Sequence, residues 1–161
     1  MLRHAASMLP IALRATLGKK GLVSVVQRRV RLAECDYNLH MNQASYARVA
    51  EYARTDWFMR TGLLVRLLRA GVNPIMAEQR IVYRRELAPR QRYAIDTRAT
   101  GIDGRLLDVQ AHLLVGDRVH TAIYGKLIMV GPKGVLGAED AEEMLAEYVT
   151  EPLGVHDWHV G

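Results

Sequence analysis

Four stretches in the second half of the chain alternate apolar and polar residues, the pattern of strands with one buried face. Arg105–Val115 is the clearest: Leu107, Val109, Ala111, Leu113 and Val115 alternate with Asp108, Gln110 and His112. Pro74–Leu87, Gln91–Thr100 and Arg118–Val130 read the same way. Ala88-Pro89, Gly101-Ile102-Asp103-Gly104 and Gly116-Asp117 supply turns short enough for hairpins, and Gly131-Pro132-Lys133-Gly134 closes the series. The first half has another rhythm. Val23–Leu32 is rich in β-branched residues with interleaved arginines and predicts one more strand. Across Gln43–Arg60, Tyr46, Val49/Ala50, Ala53 and Trp57 recur at helical spacing, with Asn42 placed to cap. Gly62 interrupts that helix, Leu63–Ala70 adds a short apolar one, and Gly71-Val72-Asn73-Pro74 ends it. An acidic helix around Ala138–Val149 precedes a tail containing His156-Asp157-Trp158-His159.

Strand, long helix, then four antiparallel strands make an α+β class protein. One long central helix wrapped by a curved, five-stranded antiparallel sheet is the hotdog architecture. With no internal repeat or linker, we expect one hotdog domain over residues 23–150, a basic N-terminal arm over 1–22 and a tail over 151–161. Such a sheet leaves strand edges open, so pairing of two subunits is expected, with a tetramer also open.

Charge changes the picture in one place. The net charge is +5 with a pI near 9.6, but residues 1–33 hold seven Lys/Arg (Arg3, Arg14, Lys19, Lys20, Arg28, Arg29, Arg31) and no acid. The remainder carries slightly more acid than base, and no basic tract is interleaved with aromatics, so nucleic acid is not an expected partner. The arm's apolar run Ala5–Leu13 is broken by Ser7 and Pro10 and stopped by Arg14. That argues against a secretory signal or a membrane span and leaves a packed amphipathic helix, a peripheral membrane or partner contact, or a targeting segment. Half the residues are hydrophobic, as in a soluble globular protein. The single cysteine, Cys35, excludes an intrachain disulfide and fits a reducing, cytoplasmic setting.

The chemistry concentrates in Glu34-Cys35-Asp36-Tyr37-Asn38-Leu39-His40-Met41-Asn42-Gln43-Ala44. A carboxylate, an amide and an imidazole (Asp36, Asn38, His40) stand at alternate positions where an extended segment becomes a helix. Carboxylate and imidazole serve acid–base chemistry, and the helix N-terminus at Asn42 and Gln43 adds N–H donors that favour developing negative charge. This combination suits attack on a carbonyl. Asp36 taken alone is equally a turn residue, and Asn42 a simple cap.

These residues resemble a family. The run Asp36, His40, Met41, Asn42, Gln43, Ala44 and Tyr46 is similar to the D-x-x-x-H-V-N-N-A-x-Y motif of hotdog acyl-thioester thioesterases, the 4-hydroxybenzoyl-CoA-thioesterase-like group, with Met41 for valine and Gln43 for the second asparagine. The match extends over about residues 23–131. Plant acyl-carrier-protein thioesterases carry D-x-N-x-H-V-N-N followed by Y-R-R-E, echoed here by Asp36 to Gln43 and by Tyr83-Arg84-Arg85-Glu86. The resemblance implies a hotdog fold, hydrolysis of an acyl-CoA or acyl-carrier-protein thioester, and a network of Asp36, Asn38, His40 and Glu86. Asp36 would act as nucleophile or as general base. Those plant enzymes contain two fused hotdogs, so a single one would assemble its site across a dimer.

Other residues compete for roles. Glu51 is a rival base on the long helix, although Arg48 and Arg54, each three residues away, favour a surface ion pair. Glu86 equally suits pairing with an arginine neighbour. Arg84, Arg85, Arg90 and Arg92 are candidates for coenzyme A phosphates or for a solvated strand face. Leu63, Leu64, Leu67, Leu68 and Ile75 would line an acyl tunnel or simply form core. Cys35 reads as packing, the tail histidines lack companions for a metal, and neither metal nor cofactor is expected. Two other functions fit the pattern less well. A non-catalytic hotdog would hold acyl-CoA or lipid without turnover. An enoyl-CoA hydratase, whose D-x-N-P-x-H motif is one residue longer, would need the proline absent here.

Overall fold

Asn42 begins the central helix as the sequence predicts: it is extended (φ −75°, ψ 157°) and its side chain accepts from Ser45 N–H at 2.9 Å. The computed structural model describes residues 21–154. Helix α1 spans Gln43–Thr61 and buries Tyr46, Val49, Ala50, Ala53 and Trp57 on one stripe. Gly62, left-handed at φ +81°, ends it and opens α2, Leu63–Ala70. The strands are β1 (Val23–Arg29), β2 (Asn73–Tyr83), β3 (Arg92–Asp103), β4 (Leu106–Val115), β5 (Arg118–Gly131) and the two-residue β6 (Gly134–Val135). Helix α3 covers Ala138–Leu145, and single 3-10 turns lie at Leu32–Glu34 and Ala146–Tyr148. Residues 1–20 of the basic arm expected over 1–22, and the tail histidines His156 and His159, lie outside the described residues.

The strand order is β1-β3-β4-β5-β2, antiparallel throughout, with β6 pairing on β5. Curled around α1, these five main strands form the hotdog fold. One connection differs from expectation: Ala88-Pro89 is not a hairpin turn. Strand β2 pairs with β5 from Asn73↔Val130 to Tyr83↔Thr121, at the far edge from β3. It stops at Tyr83 rather than Leu87 because the N–H groups of Arg84 and Arg85 both turn to His120 O, at 2.9 Å each. The chain then crosses the end of the domain, where the fully buried Leu87 accepts from Met41 N–H (2.9 Å) and Arg90 N–H donates to Val30 O (3.0 Å). The same exchange ends β1 at Arg29, short of Leu32. Strand β3 outruns its expected end by passing a bulge at Ala99/Gly101, so the β3–β4 turn tightens to Gly104-Arg105, with Gly104 at φ +61°.

The core forms two clusters along α1. Met41, Tyr46, Val49, Leu87, Tyr93 and Ile95 pack at its N-terminal half. Trp57, Leu63, Leu67, Leu107, Met129 and Leu145 pack at the other. Each fully buried leucine contributes roughly 1.5–3 kcal/mol from area removed from water. Leu63 and Leu67 are therefore core, whereas Leu68 and Ile75 are exposed. The five residues named for an acyl tunnel do not share one cavity wall. Ser24, Arg60 and the buried Asp56 bond together, and Trp57 Nε1–H donates to Leu22 O at 2.8 Å, docking β1 against α1.

Candidate active site

The segment between β1 and α1 folds back on itself. Cys35 and Met41 form an isolated antiparallel bridge, Asp36 N–H donates to His40 O (2.9 Å) and Leu39 N–H to Asp36 O (3.1 Å). Leu39 closes this loop in the left-handed region at φ +58°. A non-glycine residue held there stores on the order of 1–3 kcal/mol of strain. Within the loop, Asp36 Oδ1 accepts from Asn38 N–H at 2.9 Å. The other carboxylate oxygen has no hydrogen-bond partner among the described residues. Asn38 thus reaches Asp36 through its backbone, and its side chain is exposed.

The loop delivers Asp36 beside the start of α1. Met41 N–H and Asn42 N–H are used structurally, by Leu87 O and Glu34 O. The N–H groups of Gln43 and Ala44, the first two helical residues, have no partner among the described residues, and both side chains are exposed. Unused N–H groups at a helix N-terminus are suited to an anionic oxygen. His40 lies against the β2–β3 crossover, its Nε2 3.5 Å from Glu86 Oε1. Glu86 is in turn fixed through its backbone: His120 Nδ1 lies 3.0 Å from Glu86 O. The structure thus shows two pairs on the chain entering α1 and the crossover beside it: Asp36 with the backbone of Asn38, and His40 with Glu86.

The surroundings of the neighbouring groups shift or occupy them. Partial burial, with the negative charges of Glu34 and Asp36 beside it, pushes the Cys35 thiol up, so it stays protonated. Burial raises the phenols of Tyr46 and Tyr83, which meet edge to face with centroids 5.0 Å apart. Glu34 is consumed by structure: its oxygens accept from Arg28 (3.3 Å) and from Arg31 N–H (2.9 Å).

The remaining candidates separate. Glu51 is exposed on α1, and the expected ion pair with Arg48 or Arg54 is not formed among the described residues, because Arg54 turns to Gln79 Oε1 on β2 at 3.2 Å. Arg84 and Arg85 lie beside His120, whereas Arg90 and Arg92 lie on the β1 flank, Arg92 opposite Arg29. Arg90 lines a cleft of about 1070 Å³ between β1 and α1 together with Arg28, Arg31, Tyr52 and Asp56. A second cleft of about 450 Å³ lies between α2, β6 and α3. Neither touches Asp36, His40 or Glu86, which lie on an open face of the single subunit. No group of three or more metal-ligating side chains occurs among the described residues, and no helix there is long and apolar enough to cross a membrane. His120 was not singled out by the sequence, and Arg54 only as a neighbour of Glu51: the contacts of both, to Glu86 O and to Gln79, join segments far apart in the chain, and no spacing signals them.

A family model of the thioesterase-like superfamily matches residues 30–133. The chain belongs to the thioesterase-like superfamily. The match spans the Asp36 loop, α1, the crossover and the sheet through β5. Among solved structures, this thioesterase-like domain is similar to the probable thioesterase YbaW from Escherichia coli, with a TM-score of 0.72 at 19% identity, covering 78% of this chain and 98% of that one. It is similar to the hypothetical protein SAV2348 from Staphylococcus aureus, solved in complex with CoA (TM-score 0.70, 16% identity, covering 89% and 94%). It is also similar to the DHNA-CoA thioesterase of Staphylococcus aureus (TM-score 0.63, 15% identity, covering 78% and 89%). At these identities the likeness establishes the hotdog fold. In sequence, the thioesterase-like chain is 30% identical over 100 residues to protein THEM6 of Xenopus laevis, covering 61% of this chain and 48% of that protein. It spans about half the length of that relative.

Proposed function

We propose that the chain hydrolyses an acyl thioester of coenzyme A or of an acyl carrier protein, releasing a carboxylic acid and a thiol. The observation that carries this reading is the Asp36 carboxylate, held by Asn38 N–H in the loop that leads into α1, whose first N–H groups, those of Gln43 and Ala44, are unused among the described residues. A thioester carbonyl placed on those donors would have its oxygen in the field of the α1 N-terminus. Asp36 would then attack the carbonyl carbon, forming an anhydride that water cleaves, or remove a proton from an attacking water. His40, backed by Glu86, would orient that water or protonate the departing thiolate. Arg84 and Arg85, or Arg90 on the opposite flank, would meet the phosphates of coenzyme A. No metal or other cofactor enters this scheme.

The open site suits completion by a second subunit. Edge strand β2 exposes Ile75, Ala77, Glu78 and Arg80, and its outer backbone edge has no strand beside it among the described residues. Pairing of two β2 edges would cover the Asp36 loops of both copies. The single cysteine fits a cytoplasmic setting for such a homodimer. The motif similarity to the 4-hydroxybenzoyl-CoA-thioesterase-like group and to the plant carrier-protein enzymes supports the choice of Asp36 over Glu51.

Free-thiol release from short, medium, long and aromatic acyl-CoA substrates, compared between wild type and Asp36→Asn, tests the proposal. Turnover that collapses in a folded variant supports it. Turnover that survives transfers the chemistry to Glu51 or Glu86. Tight acyl-CoA binding without turnover of CoA or carrier-protein thioesters would establish a non-catalytic binder instead.

A further inference from the structure

The cleft of about 1070 Å³ between β1 and α1 touches none of Asp36, His40 and Glu86. Five arginines line it, Arg28, Arg29, Arg31, Arg60 and Arg90, against one carboxylate, Asp56. Two of the five already hold acids. Arg28 pairs with Glu34 and lies 5.7 Å from the centroid of the Tyr52 ring, and Arg60 pairs with Asp56. The other three, Arg29, Arg31 and Arg90, are exposed and have no carboxylate partner among the described residues. Arg29 also stands directly opposite Arg92 across the β1–β3 ladder, and like charges so placed destabilise a sheet. This flank of the protein is short of negative charge.

Arg90 is held in place at a cost. Its backbone is left-handed at φ +65°, which strains a non-glycine residue by on the order of 1–3 kcal/mol. The turn is fixed by Arg90 N–H to Val30 O (3.0 Å), Gln91 N–H to Ala88 O (3.1 Å) and Ala88 N–H to Gln91 Oε1 (2.9 Å). Glycine would sit there freely, whereas the arginine brings a third unpaired cation to the rim. Below the rim the lining is apolar. Val26 lies opposite the fully buried Ile95 on β3, and Val30 and Ala53 line the same floor. Cations over an apolar floor fit an anion that carries a hydrocarbon chain, and pockets for small ligands measure about 300–1,000 Å³. Charge disfavours two other occupants. The chain before Leu22 holds Arg3, Arg14, Lys19 and Lys20 and no acid, and a second copy would present the same arginines.

We propose that this cleft binds an acidic amphiphile, an aliphatic chain ending in a carboxylate or a phosphate ester. The charged end would sit on Arg29, Arg31 and Arg90, and the chain between β1 and α1. The site is separate from the Asp36 loop and does not depend on hydrolysis there. It assigns Arg90 to the amphiphile and leaves the phosphates of coenzyme A to Arg84 and Arg85.

Decanoate and decyl phosphate, each below its micelle concentration, are titrated into the full-length chain beside decanol and inorganic phosphate. Heteronuclear NMR of the backbone amides reads both the affinity and the place. We expect at least one of the two amphiphilic anions to bind about tenfold or more tighter than decanol and than inorganic phosphate, the gain of charge-assisted bonds joined to a buried chain. The largest shifts should fall on residues 25–30, Tyr52 and Ala53. Binding of only one anion supports the proposal and names the headgroup. Arg90→Gly relieves the left-handed strain, so it should fold at least as well as wild type, yet bind the anion about tenfold more weakly and decanol equally. Binding of neither anion, decanol as tight as decanoate, or inorganic phosphate as tight as decyl phosphate overturns the proposal. So does full affinity in Arg90→Gly. Shifts centred on Gln43 and Ala44 would place the anion at the thioester site and overturn it too. Displacement by free coenzyme A from residues 25–30 would give the cleft to the substrate's phosphates instead. Thiol release has no part in the readout, so this proposal and hydrolysis at Asp36 fail independently.

Discussion

His40 Nε2 stands 3.5 Å from Glu86 Oε1, linking the loop before α1 to the crossover that follows β2. Both side chains are substantially exposed, at 41% and 68%, so the pair adds little to stability. Exposed ion pairs contribute about 0–1 kcal/mol. His40→Ala and Glu86→Gln are expected to leave the thermal midpoint nearly unchanged. If the imidazole orients water or protonates the thiolate, His40→Ala lowers kcat by about 10²-fold or more. Calorimetry beside thiol-release kinetics checks both halves, and loss of stability with normal turnover would make the pair structural.

Asp36→Asn preserves an oxygen able to accept from Asn38 N–H, so the loop is expected to keep its shape. Removing the charge should lower kcat by about 10²–10⁴-fold with the circular dichroism spectrum intact. The loss should appear with every accepted substrate, since it concerns the carbonyl and not the acyl chain.

Leu39 at φ +58° predicts an asymmetric response to substitution. Leu39→Gly should leave stability unchanged or raise it, because glycine enters the left-handed region freely. Leu39→Val should cost about 1–2 kcal/mol, since a β-branched residue resists that conformation. Urea titration of the two variants measures the difference, and equal effects would show that the loop is not under strain.

Tyr93 supplies a pH dependence. Its phenol is buried with the Arg28 guanidinium beside it, and burial pushes it from 10 up to about 12, with Arg28 opposing the shift and Glu34 adding to it. A raised folded-state value favours the protonated form, so the contribution is complete below pH 10 and is lost as pH rises through 12. The loss amounts to roughly 2–3 kcal/mol. Tyr93→Phe should abolish this alkaline limb and leave stability near neutral pH within about 1 kcal/mol, as it removes one hydroxyl beside Arg28. Stability of both forms from pH 8 to 12 tests the sign.

Local pattern carried much of the fold. The buried stripe of α1, the capping by Asn42, the stops at Gly62 and Gly71 and the body of β4 are all written in residues a few positions apart. Periodicity and capping are short-range physics, and the Asp36–Gln43 segment was legible for the same reason: one turn and one helix start hold it. The sheet order was not legible in this way. Ala88-Pro89 looks like a hairpin turn, and nothing local says that β2 prefers Tyr83↔Thr121 and Ile81↔Ile123 on β5 to pairing with β3. That choice depends on which edge of the sheet lies free once β3, β4 and β5 have paired. From it follow the placement of Glu86 opposite His40, the support of His120 behind Glu86 and the reach of Arg54 to Gln79 instead of Glu51. The sequence by itself determined the elements and the local turn and cap at the start of α1, because neighbours in the chain make them. Only the tertiary structure decided which distant side chains face that segment, because long-range strand pairing, with its cooperative hydrogen bonds and shared core, sets those distances.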